Sequence, residues 1–268
     1  MATITRSIAE LVSRWETVRF LVAGNLKAGH REKVLGHVWN LLDPLLFVGV
    51  YYVVFGLLFG QAERGRGTFI VYLAIGVLAW RFFDATVSQA TLCIKANRGL
   101  IHEIAFPKAV FPVAVSLSRL YDFLWGVVVL LAIVLCTGFA LTAHVLWLPP
   151  LLALHLLFAM GIAFFAACLG AFFADTANVA GVLLRLWMYA SPTFYYARGE
   201  HALIPERFQG IYMMNPMACV LEGYRDALLW GRMPDPAMLL YMLVASLAVL
   251  LAGFAVFTFG EGRFAKYI

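Results

Sequence analysis

The residues able to do chemistry in this chain are few, and they stand inside long apolar stretches. Arg81 with Asp84 and Arg119 with Asp122 are each spaced i, i+3. An unpaired charge at such a depth costs about 3 kcal/mol. At that helical spacing each couple can neutralise itself, which points to helix packing or a water-lined interior before catalysis. A second pattern is aromatic. Phe47, Tyr51, Phe55 and Phe59 recur every fourth residue, a step that overshoots one α-helical turn by about 40° and so draws a slowly winding stripe. Such a stripe suits a pore wall, and lipid-facing or interfacial aromatics give the same pattern. The sequence has no Gly-Lys dipeptide and hence no phosphate loop of the form GxxxxGK[ST], and it has no DxD, HExxH or CxxC. His155 lies in an apolar stretch with no second histidine at helical spacing, the setting of a packed neutral imidazole. No nucleophile has a base beside it, so no catalytic residue and no metal ligand is assigned.

The elements that must hold these residues are membrane spans. Of 268 residues 63% are hydrophobic and 13% charged, with mean hydropathy +0.86, against about 25% charge in a soluble domain. The expected fold is all-α, a polytopic membrane protein. A net charge of +5 is scattered around the spans rather than gathered on one surface, which argues against nucleic acid as a partner. Cys93, Cys136, Cys168 and Cys219 lie far apart and form no disulfide or metal framework. No short apolar core with a small-residue cleavage site stands at the amino end, so no removable signal is expected.

Residues 1–37 read as a cytoplasmic amphipathic segment. Ile4, Ile8, Leu11, Trp15, Val18 and Val22 share one helical face, with Arg6, Glu10, Ser13 and Thr17 opposite. That fits a helix in the membrane interface or one packed on a partner helix. A six-span domain follows over residues 38–259, with spans at about 38–59, 69–91, 109–136, 145–173, 179–196 and 237–259. Arg185 and Tyr189 share a face of the fifth, and Ser191-Pro192 breaks its far end. Residues 198–236 contain no stretch long enough to span, and Glu222, Arg225 and Asp226 mark the polar side of a helical segment there. Short helices dipping into the outer interface are expected. Residues 260–268 form a short tail. Six spans leave both ends on one side, and the basic residues of the amino segment, of Lys95, Arg98 and Lys108, and of Arg263 and Lys266 make that side cytoplasmic.

Between the second and third spans, residues 97–112 read NRGLIHEIAFPKAVFP. Proline lacks an amide donor and biases the preceding residue away from the helix, so a helix begun near Leu100 should end at Ala105 or Phe106. This short amphipathic helix is either the place where a separate motor pushes or a solvated connector.

Several segments together resemble the ABC-2 type permeases that export polysaccharides. His30-Arg31 through Val34-Leu35-Gly36, Trp39 and Pro44 is similar to a lead-in of the form LGxxWxxLxP; Glu32-Lys33 departs from the small-residue step usual there. Asn97, Leu100-Ile101 and Phe106-Pro107 look like the family's coupling region. Ser191-Pro192 with Tyr195, Asn215-Pro216 with Glu222 and Arg225, and Arg263-Phe264-Ala265 with Tyr267-Ile268 complete the ordered set. The resemblance implies a homodimer of six-span subunits in the bacterial inner membrane, joined to two copies of a separate ATPase that holds the ATP and magnesium. No cofactor is expected in this chain. The implied cargo is lipid-linked O-antigen, capsule or teichoic-type polysaccharide. Leu100, Ile101, His102, Glu103, Ile104, Ala105, Phe106 and Pro107 are the implied coupling residues. Trp39, Phe47, Tyr51, Phe55, Phe59, Arg185, Tyr189 and Tyr195 are the implied channel contacts. Competing readings are an exporter of drugs or lipids on the same fold and a membrane-embedded transferase.

Overall fold

The computed structural model describes residues 10–11, 13–30, 39–60, 68–103, 107–198, 202 and 204–264. Its helices are α1 (Trp15–His30), α2 (Trp39–Tyr51) running on into a π-helix (Tyr52–Leu58), α3 (Thr68–Ala96), α4 (Arg98–Glu103), α5 (Val110–Cys136), a 3-10 turn (Ala143–Trp147) leading into α6 (Leu148–Phe172), α7 (Thr176–Tyr189), α8 (Glu206–Tyr212), α9 (Pro216–Leu228) and α10 (Pro236–Glu261). No strand occurs among the described residues. The fold is all-α. Among the described residues, five helical runs are long and apolar enough to cross a bilayer: 41–58, α3, α5, the 3-10 turn with α6, and α10. This is a multi-pass membrane protein.

Burial ranks the spans. Every residue from Val71 to Trp80 is buried, so α3 runs through the middle, with α2, α5, α6, α7 and α9 packed around it. A helix apolar on all sides is stable only where neighbours cover all sides, and α10, covered mainly by α6, keeps a long outer face of Leu240, Leu243, Val244, Leu247 and Leu251. The α6–α10 contact is close. A Cβ on Gly253 would collide with the Gly161 carbonyl and one on Gly161 with the backbone of Leu250, so two glycines let the backbones touch.

Three expectations need correction. The fifth span, expected over 179–196, is the 14-residue helix α7, about 21 Å long against about 30 Å of hydrocarbon. It stops at Tyr189 because the chain turns at Ser191-Pro192 and runs non-helical through residue 198. Second, the polar side of α9 is not solvated: all of Met217–Leu228 is buried, against α3, α6 and α10. Its polar side faces partners inside the protein. Third, Arg81 does not pair with Asp84. It reaches Asp43 on α2, while Asp84 lies within electrostatic reach of Arg185. Arg119 and Asp122 do pair within α5, Nη1 to Oδ2 at 2.7 Å.

The amphipathic α1 packs on a partner helix within the chain. Val18 is fully buried, and Asn25 Nδ2 donates to Ser118 Oγ on α5 at 3.4 Å. Leu11, Leu21 and Val22 join the core, whereas Trp15 and Phe20 stay exposed. Ile4, Ile8 and most of the lead-in motif lie outside the described residues.

Candidate functional site

The aromatic stripe is continuous. Ring centroids are 6.5 Å apart for Phe47 and Tyr51, 6.2 Å for Tyr51 and Phe55, and 5.7 Å for Phe55 and Phe59. Local backbone explains why the stripe does not wind away. Up to Tyr51 each four-residue step overshoots an α-helical turn. From Tyr52 the bonding becomes i to i+5, as in Phe59 N to Val54 O at 3.1 Å, and the wider turn brings the next rings back into line. Phe194, from the turn after α7, stacks on Tyr51 at 4.9 Å and on Phe55 at 4.8 Å, and Tyr189 lies 5.9 Å from it. Phe47, Phe59 and Tyr189 are exposed along this ladder.

The turn carrying Phe194 is fixed from beneath by a buried arginine. Arg225 on α9 lays its guanidinium 3.3 Å from the centroid of Tyr72. Its Nη1 donates to Glu222 Oε1 at 2.7 Å and its Nη2 to the Pro192 carbonyl at 2.6 Å. The Tyr72 hydroxyl donates to the Tyr195 carbonyl at 2.7 Å. Carbonyls freed by the break at Pro192 thus find donors inside the protein, as non-helical backbone at membrane depth requires. Gly76 makes room: a Cβ there would collide with the Thr193 carbonyl. From the side, Asn215 caps α9 through Met217 N at 3.1 Å, accepts from Trp187 Nε1 at 3.0 Å and donates to Ser191 Oγ at 2.9 Å. Tyr195 and Tyr212 share a hydroxyl contact of 2.8 Å, and burial with that bond raises the Tyr212 hydroxyl above its ordinary pKa. Asp226 is raised by burial against the opposing pull of Arg232, which sits 2.6 Å away.

At the other end of the stripe, a cavity of about 170 Å³ opens between α1, α2, α3 and α5. Trp39, Asp43, Arg81, Phe82, Arg119 and Asp122 line it. Arg81 pairs with Asp43 and lies 4.1 Å above the Phe47 ring. Arg119 also donates through Nε to Gln89 Oε1 at 2.6 Å.

The hinge is a separate place. α4 begins at Arg98, with Leu100 exposed and Ile101 partly buried. The end of that helix, expected at Ala105 or Phe106, lies outside the described residues, and so do Ile104 and the side chains of His102 and Glu103. Beyond Pro107, Glu261 at the end of α10 accepts from Lys108 N at 2.5 Å, and Lys108 Nζ donates to its carbonyl at 3.1 Å. The exit of the hinge is therefore clasped to the last span.

Among the expected channel contacts, Phe47, Tyr51, Phe55, Phe59 and Tyr189 come together, and Tyr195 joins through its hydroxyl bond to the Tyr189 carbonyl at 3.0 Å. Trp39 lies below them on the cavity wall. Arg185 is exposed and its Nε donates to the Gly181 carbonyl at 3.1 Å, away from the rings. Sequence reasoning missed Phe194, Asp43, Tyr72 and Trp187 as parts of the assembly. Phe194 had a visible signal, an aromatic run directly after a Ser-Pro break, and Asp43 stands one four-residue step before Phe47. Tyr72 and Trp187 had none.

The family profile described as ABC-2 type transporter matches residues 16–229. The chain is 26% identical over 264 residues to the O-antigen export system permease protein RfbA of Myxococcus xanthus, covering 98% of this chain and 99% of that one. A protein of the same name from Klebsiella pneumoniae is 26% identical over 246 residues, with 91% and 92% covered. The polysialic acid transport protein KpsM of Escherichia coli is 22% identical over 243 residues, with 90% and 92% covered. A profile match that takes in both the aromatic stripe and the Arg225 assembly settles the family: this chain belongs to the ABC-2 type transporters.

Proposed function

We propose that this chain is the membrane permease subunit of an ATP-driven exporter that carries lipid-linked surface polysaccharide, of the O-antigen, capsule or teichoic class, across the bacterial inner membrane. The observation that carries this reading is the unbroken ring ladder from Phe47 to Phe59, joined by Phe194, in a chain similar to export permeases along nearly its whole length. Sugar rings stack on aromatic faces with modest energies, about 0.5–1.5 kcal/mol for an aromatic pair. A row of such faces holds a polymer at every position and arrests it at none.

Two copies of the chain form the channel, with the stripe and α7 along its axis. Two copies of a separate ATPase subunit bind ATP with magnesium, and this chain itself holds no cofactor. The motor acts on the hinge from Leu100 to Pro107, and the push reaches the spans as a rigid-body switch between two states. Residues 1–37 serve as the cytoplasmic amphipathic segment, 38–259 as the transmembrane domain and 260–268 as the cytoplasmic tail. Both ends lie in the cytoplasm. Five long helices among the described residues would alone leave them on opposite sides, so α7 with the largely buried run 191–197 makes the remaining passage. The burial of Ser191, Thr193 and Phe194 supports this.

The test is surface polysaccharide in cells lacking this chain, restored by the wild-type gene or by Phe106→Asp and Glu103→Lys. Export restored by the wild type, with both variants inserted but uncoupled from the ATPase, is the expected result. Normal surface polymer in cells lacking the chain would overturn the proposal.

A further inference from the structure

We infer that the cavity between α1, α2, α3 and α5 is a sugar-ring subsite, which receives a single neutral ring at the foot of the aromatic ladder. The inference rests on the export reading above and gives it a place of entry. Size comes first. At about 170 Å³ the cavity is an order of magnitude above the roughly 10–15 Å³ that one water requires.

The charge pattern selects the ligand. Arg81 is held by Asp43 and Arg119 by Asp122, so each cation on the wall has its anion beside it. With each cation beside its anion, the wall carries no net charge to draw in an isolated phosphate or ammonium. A ring of hydroxyls needs none, because a carboxylate has about four acceptor sites and a guanidinium five donors, more than one partner consumes. Hydrogen bonds from neutral hydroxyls to such ionised groups are the stronger kind. Trp39 and Phe82 add apolar faces to the same wall.

Position joins the cavity to the ladder. Trp39, Asp43, Phe47, Tyr51, Phe55 and Phe59 form one series at four-residue steps, and only its first two members face the cavity. Arg81 touches both parts: it pairs with Asp43 in the cavity wall and covers the Phe47 ring at 4.1 Å. A sugar ring seated by the ion pairs therefore lies one helical turn from the first ring of the stripe.

Saturation-transfer NMR tests this on the permease with its ATPase in lipid nanodiscs, using methyl α-mannoside, methyl α-rhamnoside and methyl N-acetyl-α-glucosaminide as probes. Wild type should give transfer to at least one glycoside. Asp43→Asn and Gly126→Leu should each reduce it by about tenfold, the loss of one good polar contact or of the space itself. Gly126 lines the cavity, and a Cβ there meets only Phe123 Cδ2 at 3.7 Å, an ordinary contact, so the added side chain starts without collision and does not touch the ion pairs' charge. Transfer that Gly126→Leu leaves unchanged overturns the subsite, and so does transfer abolished by glycerophosphoethanolamine, which would mark a lipid-headgroup cavity. The cell assay keeps the two readings apart. If wild type restores export and Gly126→Leu alters neither transfer nor surface polymer, the subsite alone fails.

Discussion

Arg225 and Arg81 are assembled from the same parts. Each lays a guanidinium over an aromatic ring, at 3.3 Å from the Tyr72 centroid and 4.1 Å from that of Phe47, and each grips one carboxylate, Glu222 or Asp43. Their surroundings differ. The side chains of Arg225 and Glu222 are 0% and 5% exposed, those of Arg81 and Asp43 34% and 43%. Arg225 also donates to the Pro192 carbonyl, so it fixes a stretch of backbone and has no room to exchange. Arg81 borders open space and fixes none. The same chemical unit thus serves as a bolt where it is sealed and as a wall where a cavity reaches it.

The comparison predicts its own largest effect at Arg225. Replacing it by Met leaves Glu222 buried without its cation and three carbonyl or carboxylate acceptors short of a donor, a loss of about 3–5 kcal/mol. The variant should not be recovered as a folded protein in detergent size-exclusion runs. Arg225→Lys should rescue little, because a point ammonium cannot span Glu222 and the Pro192 carbonyl as the guanidinium fork does. Recovery of Arg225→Met at wild-type yield would break the contrast between the two arginines. The next effect belongs to Gly76→Ala, whose Cβ meets backbone at Thr193 rather than a movable side chain. Overpacking of this kind costs about 1–3 kcal/mol. The thermal midpoint should fall while the protein still inserts.

The same contrast divides what could be read from the sequence. The ladder was legible because a single helix carries Phe47, Tyr51, Phe55 and Phe59, and spacing within one helix survives folding. The membrane class and most span positions follow from apolar run length for the same reason. The Arg225 assembly was not legible as an interior. A helix with Glu222, Arg225 and Asp226 on one side reads as half-solvated, and only the arrival of Tyr72, Pro192 and Arg232 from elsewhere in the chain makes that side habitable inside. Arg81 failed likewise: Asp84 is its neighbour at i+3, but Asp43 on another helix is its partner. For the fifth span the break was legible at Ser191-Pro192, but its consequence was not: hydropathy stays apolar through that step to residue 196, whereas the helix stops at Tyr189.

A smaller effect is expected on the ladder itself. Phe194→Ala removes two stacked contacts, with Tyr51 and Phe55, each worth about 0.5–1.5 kcal/mol in such pairs. The turn that carries it is held by Arg225 at the Pro192 carbonyl and by Tyr72 at the Tyr195 carbonyl, so stability should drop modestly. Surface polymer should fall severalfold in cells that insert the variant normally. Phe194→Tyr keeps the ring and should restore export, which separates a stacking role from simple packing. Equal export by the Ala and wild-type proteins would remove Phe194 from the proposed path.

The smallest expected effect on stability is that of Asp43→Asn, and it sharpens the comparison most. A half-exposed ion pair contributes about 0–1 kcal/mol, and Arg81 keeps its cation–π contact with Phe47 whatever happens to Asp43. The thermal midpoint of Asp43→Asn should therefore stay close to that of wild type, while the matching change at the sealed pair, Glu222→Gln, lowers it clearly. The reason lies in what each carboxylate leaves behind. Without the Glu222 charge the Arg225 guanidinium has neither solvent nor a second anion within reach, whereas Arg81 stands at a cavity that admits water. A large loss for Asp43→Asn would mean that Arg81 is a second bolt, and the cavity beside it a packing defect rather than a place for a ligand.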